Sequence, residues 1–268
     1  MLQAIIFDYD GTLCPTLERQ ESWFKFYSAS NKKEWRFENF NDFKTTHNDF
    51  VTKEGGIQAF YDYLELPCNM NDRKHIVWHE YERFKSENPM RLYSNVRETI
   101  KTLWEMNALN SNVNRNKRLR LGINTTNTWK SIYKELQSEG ILPYFDGFIT
   151  TEILRIYQGE GIAKNVEKPS PISIALMLRL LDSNGNVTIH VGDTVNDLRA
   201  SKNVIISNPL RPENLITVGA CYGYEGREQL EKGTIKDGKQ INFDYLIDSP
   251  EQLIPIVKEV NEILEKQI

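Results

Sequence analysis

Residues 5–13 read Ile5-Ile6-Phe7-Asp8-Tyr9-Asp10-Gly11-Thr12-Leu13, and this stretch decides the fold. Its apolar beginning predicts a short buried β-strand that ends at two aspartates. Ligands of open α/β sheets bind at the carboxyl ends of strands. Because side chains two residues apart lie on the same side of a strand, Asp8 and Asp10 are expected to face one point. The two carboxylates repel each other unless a cation or a shared proton relieves them, and a hard divalent cation, above all Mg²⁺, is the expected occupant.

Length and composition bound the class of protein. The chain has 268 residues, is 40% hydrophobic and carries a formal charge of -4, which suits one core domain and a smaller appendage. The mild acidity indicates neither a nucleic-acid nor a membrane partner. We find no apolar run long enough for a bilayer and no signal-peptide pattern. Three cysteines without metal-like spacing favour a cytoplasmic location.

The region from Pro15 to about Arg91 is predicted to be helical throughout. Apolar and aromatic residues recur there at helical spacing in Leu17–Ser30, Gly56–Leu66 and Asp72–Lys85. We interpret the region as a helical insert whose ends return to nearly the same place. Most of its aromatic residues are expected to form its own core, among them Trp23, Tyr27, Trp35, Phe37 and Trp78.

Predicted strands and helices alternate through the rest of the chain. The predicted strands after the first are Leu119–Asn124, Phe148–Thr150, Val187–Val191, Leu215–Ala220 and a short edge strand at Tyr245–Ile247. The predicted helices are Asn95–Met106, Trp129–Ser138, one from Ser170, one reaching Lys202, and a final amphipathic one after Ser249. This alternation predicts a parallel sheet with right-handed crossovers. We therefore expect a three-layer α/β/α, Rossmann-like core, residues 1–14 and 92–268, with an inserted all-helical cap domain, residues 15–91.

Several smaller features are also predicted. Ser170 is expected to cap a helix with Pro171 in its first turn, and Ser249–Gln252 resembles a capping box. Residues 155–167 and 204–214 are expected to be long loops. A basic loop is expected to be solvated and too short to bind nucleic acid unaided, and its cations are Arg115, Lys117, Arg118 and Arg120.

Several polar residues at predicted strand ends and in loops are expected to lie close together in this topology. They are Asp8 and Asp10, Thr125, Lys168, and Asp193 with Asp197. Parallel connectivity brings the ends of the first, second and fourth strands to one edge of the sheet. A third carboxylate, Asp193, completes a hard-cation site there. A hydroxyl and a lysine suit a phosphoryl group, whose charge needs hydrogen-bonding and cationic partners.

Four motifs in this order resemble those of the haloacid dehalogenase superfamily, within its phosphatase-rich, phosphoglycolate-phosphatase-like branch. They are Asp8-Tyr9-Asp10-Gly11-Thr12-Leu13, Leu121-Gly122-Ile123-Asn124-Thr125-Thr126, Lys168-Pro169-Ser170-Pro171 and Val191-Gly192-Asp193-Thr194-Val195-Asn196-Asp197. The stretches Tyr144–Thr150 and Tyr222-Gly223-Tyr224 also look similar to that branch. The resemblance covers residues 1–14 and 92–268, while the insert matches in position and type.

The resemblance implies a covalent mechanism. Asp8 would be the nucleophile that forms an aspartyl-phosphate, and Asp10 would protonate the leaving alcohol and then activate water. Mg²⁺ would be held by the Asp8 side chain, the Asp10 backbone carbonyl and Asp193. Asp197 would either support the water shell of the metal or hold Lys168.

The resemblance also implies how the phosphoryl oxygens are bound. Thr125 and Lys168 would contact them, helped by backbone N–H groups after Asp8 and after Thr125. One departure concerns residue 126, since the family usually has asparagine after the threonine and Thr126 stands here. Thr125 is alternatively a strand-end cap, and Thr126 then takes its role.

The main functional prediction is a Mg²⁺-dependent phosphatase acting on a small phosphorylated metabolite, as a monomer or homodimer. The presence of Asp10 argues against a true dehalogenase, which has no leaving alcohol to protonate. A sugar phosphomutase of the same superfamily is the enzymatic alternative. A catalytically retired binding or regulatory protein is the non-enzymatic one, although every core catalytic position is filled.

Overall fold

A computed structural model describes residues 1–51, 56–70, 72, 74–106, 118–159, 166–204 and 215–266. The chain packs into two compact units. The first, which we call the core unit, comprises Met1–Cys14 and Arg91–Ile268. The second, the helical unit, comprises Pro15–Met90.

The core unit is built on a six-stranded parallel sheet with the order β3-β2-β1-β4-β5-β8. Its strands are β1 (Ala4–Phe7), β2 (Arg120–Asn124), β3 (Gly147–Ile149), β4 (Thr188–Gly192), β5 (Ile216–Ala220) and β8 (Tyr245–Ile247). An antiparallel hairpin of β6 (Thr234–Lys236) and β7 (Lys239–Ile241) stands apart from it. The hairpin had no counterpart in the sequence prediction, whereas the parallel α/β sheet is confirmed.

β1 lies at the centre of the sheet, and all four of its residues are buried. Phe7 pairs with Ile123 of β2 on one side and with Val191 of β4 on the other, so the three strands end at the same level. Chain segments that leave these strands therefore emerge together at one edge. Asp8 and Asp193 begin two of these segments.

Helices cover both faces of the sheet, as a three-layer α/β/α fold requires. They are α5 (Val96–Glu105), α6 (Trp129–Ser138), α7 (Thr151–Gln158), α8 (Ile172–Leu180), α9 (Val195–Lys202), α10 (Gly226–Lys232) and α11 (Leu253–Glu265). Ile6 packs into a buried cluster with Met177 of α8 and Ala200 of α9. Phe7 points to the opposite face and lies near Ile100 of α5 and the start of α11.

The helical unit contains four helices among its described residues. They are α1 (Thr16–Ser30), α2 (Phe40–Val51), α3 (Gly56–Tyr63) and α4 (Ile76–Glu87). Its centre is aromatic, since Trp23 stacks on Tyr27 with ring centroids 4.8 Å apart and Phe24 meets Phe60 edge to face at 4.8 Å. Such contacts supply most of what holds four short helices together. Phe37 is also buried, while Trp35 and Trp78 are half-buried.

Three local predictions are wrong. Residues 155–158 belong to helix α7 and not to a loop. The apolar residue Ile156 is 77% exposed, so apolar residues lie on both faces of this helix and do not show a helical period. Ser170 is not the cap of α8, which begins at Ile172 after Pro171. Ser249 makes no capping hydrogen bond, because a 3-10 turn over Pro250–Gln252 precedes α11.

Some predicted features lie outside the described residues. They are Arg115 and Lys117 of the basic loop, residues 160–165 and residues 205–214. Within the described part of the chain, each helix is too short or too polar to cross a bilayer.

Candidate active site

Asp8 follows β1 directly and is only 8% exposed. Its backbone N–H donates to the Val191 carbonyl at 2.9 Å, which continues the sheet pairing one residue past the strand. Its Oδ1 accepts the Tyr9 backbone N–H at 2.7 Å and pairs with Lys168 Nζ at 2.8 Å. The carboxylate is therefore fixed at the carboxyl edge of the sheet.

Asp193 follows β4 and is completely buried. Its Oδ1 accepts the Thr12 hydroxyl at 3.1 Å, and its Oδ2 accepts the Tyr224 backbone N–H at 2.7 Å. One carboxylate thus joins three segments, since Thr12 belongs to the turn after β1 and Tyr224 to the loop after β5. Carboxylates that accept two such donors have little freedom to rotate.

Two glycines allow the three segments to approach this closely. Gly11 has a φ of +75°, and a Cβ there would lie 1.9 Å from Asp193 Oδ2. A Cβ on Gly223 would lie 2.3 Å from Asp193 Cβ and 2.4 Å from the Gly11 carbonyl oxygen. Side chains at either position would push the turn after β1 away from Asp193.

Lys168 connects Asp8 to a third buried carboxylate. Its Nζ lies 2.7 Å from Asp197 Oδ1 as well as 2.8 Å from Asp8 Oδ1. Asp197 also accepts the Thr194 N–H and hydroxyl in a capping box at the start of α9. Burial alone would lower the pKa of Lys168, but Asp197 and Asp8 outweigh it and raise that pKa above its usual range.

The carboxyl groups of Asp8 and Asp193 remain costly to ionise. Burial is the main cause that raises the pKa of Asp8 to about 7; Lys168 opposes this shift, while Asp197 and Asp10 add to it. Burial, followed by Asp8 and Asp197, raises the pKa of Asp193 well above its usual range. Burial would raise the pKa of Asp197, but Lys168, His190 and Thr194 together outweigh it and lower that pKa. A single lysine therefore compensates this group of acids incompletely.

These acids suit a divalent cation. Oxygen atoms of Asp8, Asp193 and Asp197 lie within 4.8 Å of one another. Three ionised carboxylates and the Lys168 ammonium carry a net charge of -2, which a divalent cation would balance. Carboxylate oxygens are the ligands that hard cations prefer. The residues present thus fit a divalent metal ion.

The Asp10 carboxylate is not part of this group of three. Its Oδ2 accepts Asn127 Nδ2 at 2.6 Å and the Thr125 hydroxyl at 3.4 Å, both from the loop after β2. Thr125 is buried, whereas Thr126 is exposed. Asp8 and Asp10 thus have different hydrogen-bonding partners, while the Asp10 charge lies near enough to raise the pKa of Asp8.

Sequence reasoning missed three groups that shape the site: Thr12, Asn127 and Tyr224. Thr12 lies within the first motif, but its contact with Asp193 spans 181 residues. Tyr224 contributes a backbone N–H, and a contact of this kind cannot be predicted from the residue type. Asn127 stands one position after the second motif, where a loop places it against Asp10.

Comparisons with solved structures identify the same overall fold elsewhere. A candidate β-phosphoglucomutase from Thermotoga maritima matches with a TM-score of 0.64 and 19% identity, over 97% of this chain and 100% of that one. A predicted phosphoglycolate phosphatase from Haemophilus somnus matches with a TM-score of 0.62 and 19% identity, over 95% and 97%. CbbY from Rhodobacter sphaeroides, solved in complex with phosphate, matches with a TM-score of 0.57 and 22% identity, over 94% and 96%.

Sequence comparisons give the family. A search of curated proteins found no significant match. The family model for haloacid dehalogenase-like hydrolases, in contrast, matches residues 2–204. That range contains all four motifs and the three clustered aspartates. The chain belongs to the haloacid dehalogenase-like hydrolase family.

Proposed function

We propose that this protein is a Mg²⁺-dependent phosphomonoesterase that hydrolyses a small phosphorylated metabolite through a covalent intermediate on Asp8. The observation that carries the proposal is the grouping of Asp8, Asp193 and Asp197, two of which, Asp8 and Asp197, pair with Lys168. Such a group supplies a nucleophile, a cation and metal ligands at one point. Catalysis of phosphoryl transfer consists mainly of such positioning and charge neutralisation.

In the first step an Asp8 carboxylate oxygen attacks phosphorus. The new Asp8 O–P bond forms while the ester P–O bond breaks, and Asp10 gives its proton to the leaving alcohol. Lys168 and the Thr125 hydroxyl are proposed to bind the phosphoryl oxygens. Thr126 is the alternative hydroxyl, and its exposed position makes it the weaker candidate.

In the second step water hydrolyses the aspartyl-phosphate. Asp10, now ionised, takes a proton from the water that attacks phosphorus. The Asp8 O–P bond breaks, inorganic phosphate leaves, and both aspartates return to their first states. Asp197 keeps Lys168 charged and in place through the 2.7 Å ion pair.

The metal site is assigned to Asp8 and Asp193, with the Asp10 backbone carbonyl as a further proposed ligand. Bound Mg²⁺ would neutralise charge on the phosphoryl oxygens and hold them in line. Asp193 is well suited to a fixed coordination geometry, because Thr12 and Tyr224 orient its two oxygens.

Removal of divalent cations is expected to abolish phosphate release from p-nitrophenyl phosphate. Without the cation, the carboxylates repel both one another and the phosphoryl group. The rate should fall by about 10²-fold or more with EDTA and return when excess Mg²⁺ is added. Release of p-nitrophenol at pH 7.5 measures this, followed by a panel of phosphorylated metabolites.

Three outcomes would contradict the proposal. Hydrolysis that is unaffected by EDTA would remove the metal from the mechanism. Absence of phosphate release from every panel member, together with interconversion of sugar phosphates after a bisphosphate primer, would identify a phosphomutase. Absence of both activities would favour a binding protein.

The helical unit is proposed to be a cap domain that selects the substrate. Its insertion in the sequence directly after Asp10 motivates this assignment, which places the cap at residues 15–91. Exchanging these residues for the insert of another family member should change the ratio of kcat/KM between the two best panel substrates by about 10-fold or more. An unchanged ratio in a folded, active chimaera would contradict the assignment.

A further inference from the structure

Asp10 is held by a loop that carries an asparagine outside the four motifs. Asn127 Nδ2 donates to Asp10 Oδ2 at 2.6 Å. Thr125 donates to the same oxygen at 3.4 Å. The backbone N–H of Asn127 in turn donates to Thr125 Oγ1 at 3.0 Å. Asn127 therefore contacts both Asp10 and Thr125, a second side chain that donates to the same oxygen.

We propose that Asn127 is a positioning residue that aims the Asp10 carboxyl group for proton transfer. The inference rests on the proposed function, in which Asp10 protonates the leaving alcohol and later activates water. Proton transfer needs the carboxyl oxygen within hydrogen-bonding reach of the reacting oxygen. A short hydrogen bond from a side-chain amide limits rotation of the carboxyl group about its last bond.

Thr125 cannot perform this task during catalysis. Its hydroxyl has one proton, and in the structure that proton is donated to Asp10. When the same hydroxyl donates to a phosphoryl oxygen, as proposed above, its contact with Asp10 is lost. The Asn127 amide makes no such exchange, so it keeps Asp10 in place while substrate is bound.

The backbone around Asn127 is anchored, as a positioning role requires. The Asn127 carbonyl accepts the Thr151 N–H at 3.1 Å, at the start of α7. The next residue, Thr128, caps α6 by accepting the Ser131 N–H at 3.3 Å. Asn127 is consequently held between two helix starts, and its amide reaches Asp10 from a rigid base.

The test compares two substrates that differ in their need for an acid. The leaving group of phenyl phosphate is phenoxide, which is basic and requires protonation. The leaving group of 2,4-dinitrophenyl phosphate is 2,4-dinitrophenolate, which departs without a proton. We expect Asn127→Ala and Asn127→Asp to lower kcat/KM for phenyl phosphate by about 10- to 100-fold. For 2,4-dinitrophenyl phosphate the same variants should lose less than about 3-fold. kcat/KM reports the first step, so slower hydrolysis of the intermediate does not obscure the comparison.

Asn184→Asp is the matched control. Asn184 is exposed just before β4, at the opposite end of that strand from Asp193, and the substitution introduces the same charge. It should leave kcat/KM for both substrates within about 2-fold of wild type, with thermal unfolding recorded for every variant. Asn127→Ala adds no charge beside Asp10, so it tests the contact even if Asn127→Asp does not fold.

The outcomes separate this inference from the proposed function. Equal losses for both substrates, or no loss for either, would overturn the role of Asn127 and leave the phosphatase proposal standing. Wild-type protein that hydrolyses neither substrate with Mg²⁺ would overturn both. A loss confined to phenyl phosphate supports both.

Discussion

Asp8→Asn is expected to lower kcat for phosphate release by about 10⁴-fold or more, because an amide cannot form the acyl phosphate. The variant should nevertheless fold. Asparagine has nearly the same shape as aspartate, and the carbonyl oxygen of the new amide could still accept the Tyr9 N–H and a Lys168 proton. Steady-state kinetics with p-nitrophenyl phosphate measure the loss. Residual activity within 10-fold of wild type would exclude Asp8 as the nucleophile.

The same substitution should stabilise the metal-free protein near neutral pH. Burial raises the pKa of Asp8 to about 7 in the folded state, against 3.8 for an ordinary aspartate. The folded state therefore holds a proton that the unfolded state has lost, and the stability contributed by Asp8 falls as pH rises from about 4 to 7. An amide does not titrate in this range, so the variant lacks the contribution of Asp8 to the pH dependence. The difference in Tm, variant minus wild type, should grow over this range in EDTA.

Magnesium provides the control for this stability effect. A bound cation favours the ionised form of Asp8 and stabilises the folded wild type by mass action. Added Mg²⁺ should raise the Tm of wild type at pH 7.5 more than that of Asp8→Asn. A Tm difference that is independent of both pH and Mg²⁺ would contradict the raised pKa of Asp8 in the metal-free folded protein.

Lys168→Met is expected to lower the free energy of unfolding by about 3–5 kcal/mol at pH 7.5. Methionine preserves much of the side-chain volume but leaves Asp8 and Asp197 without their shared cation. The Lys168 side chain is 9% exposed, so water compensates little for the lost ion pairs. Phosphate release should also become undetectable in the p-nitrophenyl phosphate assay, since the phosphoryl group loses its cationic partner.

Lys232→Met is the matched control for this loss. Lys232 pairs with Glu228 at 2.8 Å on one helix, and its side chain is 62% exposed. Exposed pairs of this kind contribute little to stability, because water and salt screen them. Urea denaturation measures both variants. Similar small losses would mean that Lys168 contributes no more to folding than a surface lysine does.

The convergence of Asp8, Asp193 and Lys168 follows from features that a sequence does display. The apolar residues of β1 and β4 specify buried strands, and alternation with helices specifies a parallel sheet. Parallel strands then end at one edge, which brings Asp8 and Asp193 together. The bounds of α6 were also predicted correctly, because a capping threonine precedes this helix and its apolar residues recur at helical spacing.

Other parts of the site depend on loop geometry and backbone groups, which side-chain patterns do not specify. The Tyr224 N–H reaches Asp193 because Gly223 permits the close approach, and neither fact follows from residue spacing. Asn127 reaches Asp10 through the path of the β2–α6 loop. Ser249 illustrates the reverse error, because a capping-box pattern was present but the following proline began a 3-10 turn instead.

The contact between Asp193 and Tyr224 joins parts of the chain that are made late in synthesis. Asp8 leaves the ribosome early, and Thr12 must wait for Asp193, 181 residues later. Asp193 in turn obtains its second donor only 31 residues further along, from Tyr224. A nascent chain therefore carries an incomplete cluster of buried acids until most of it has been made. Chains that stop before residue 224 lack the donor that orients Asp193, so premature termination yields protein without an assembled site.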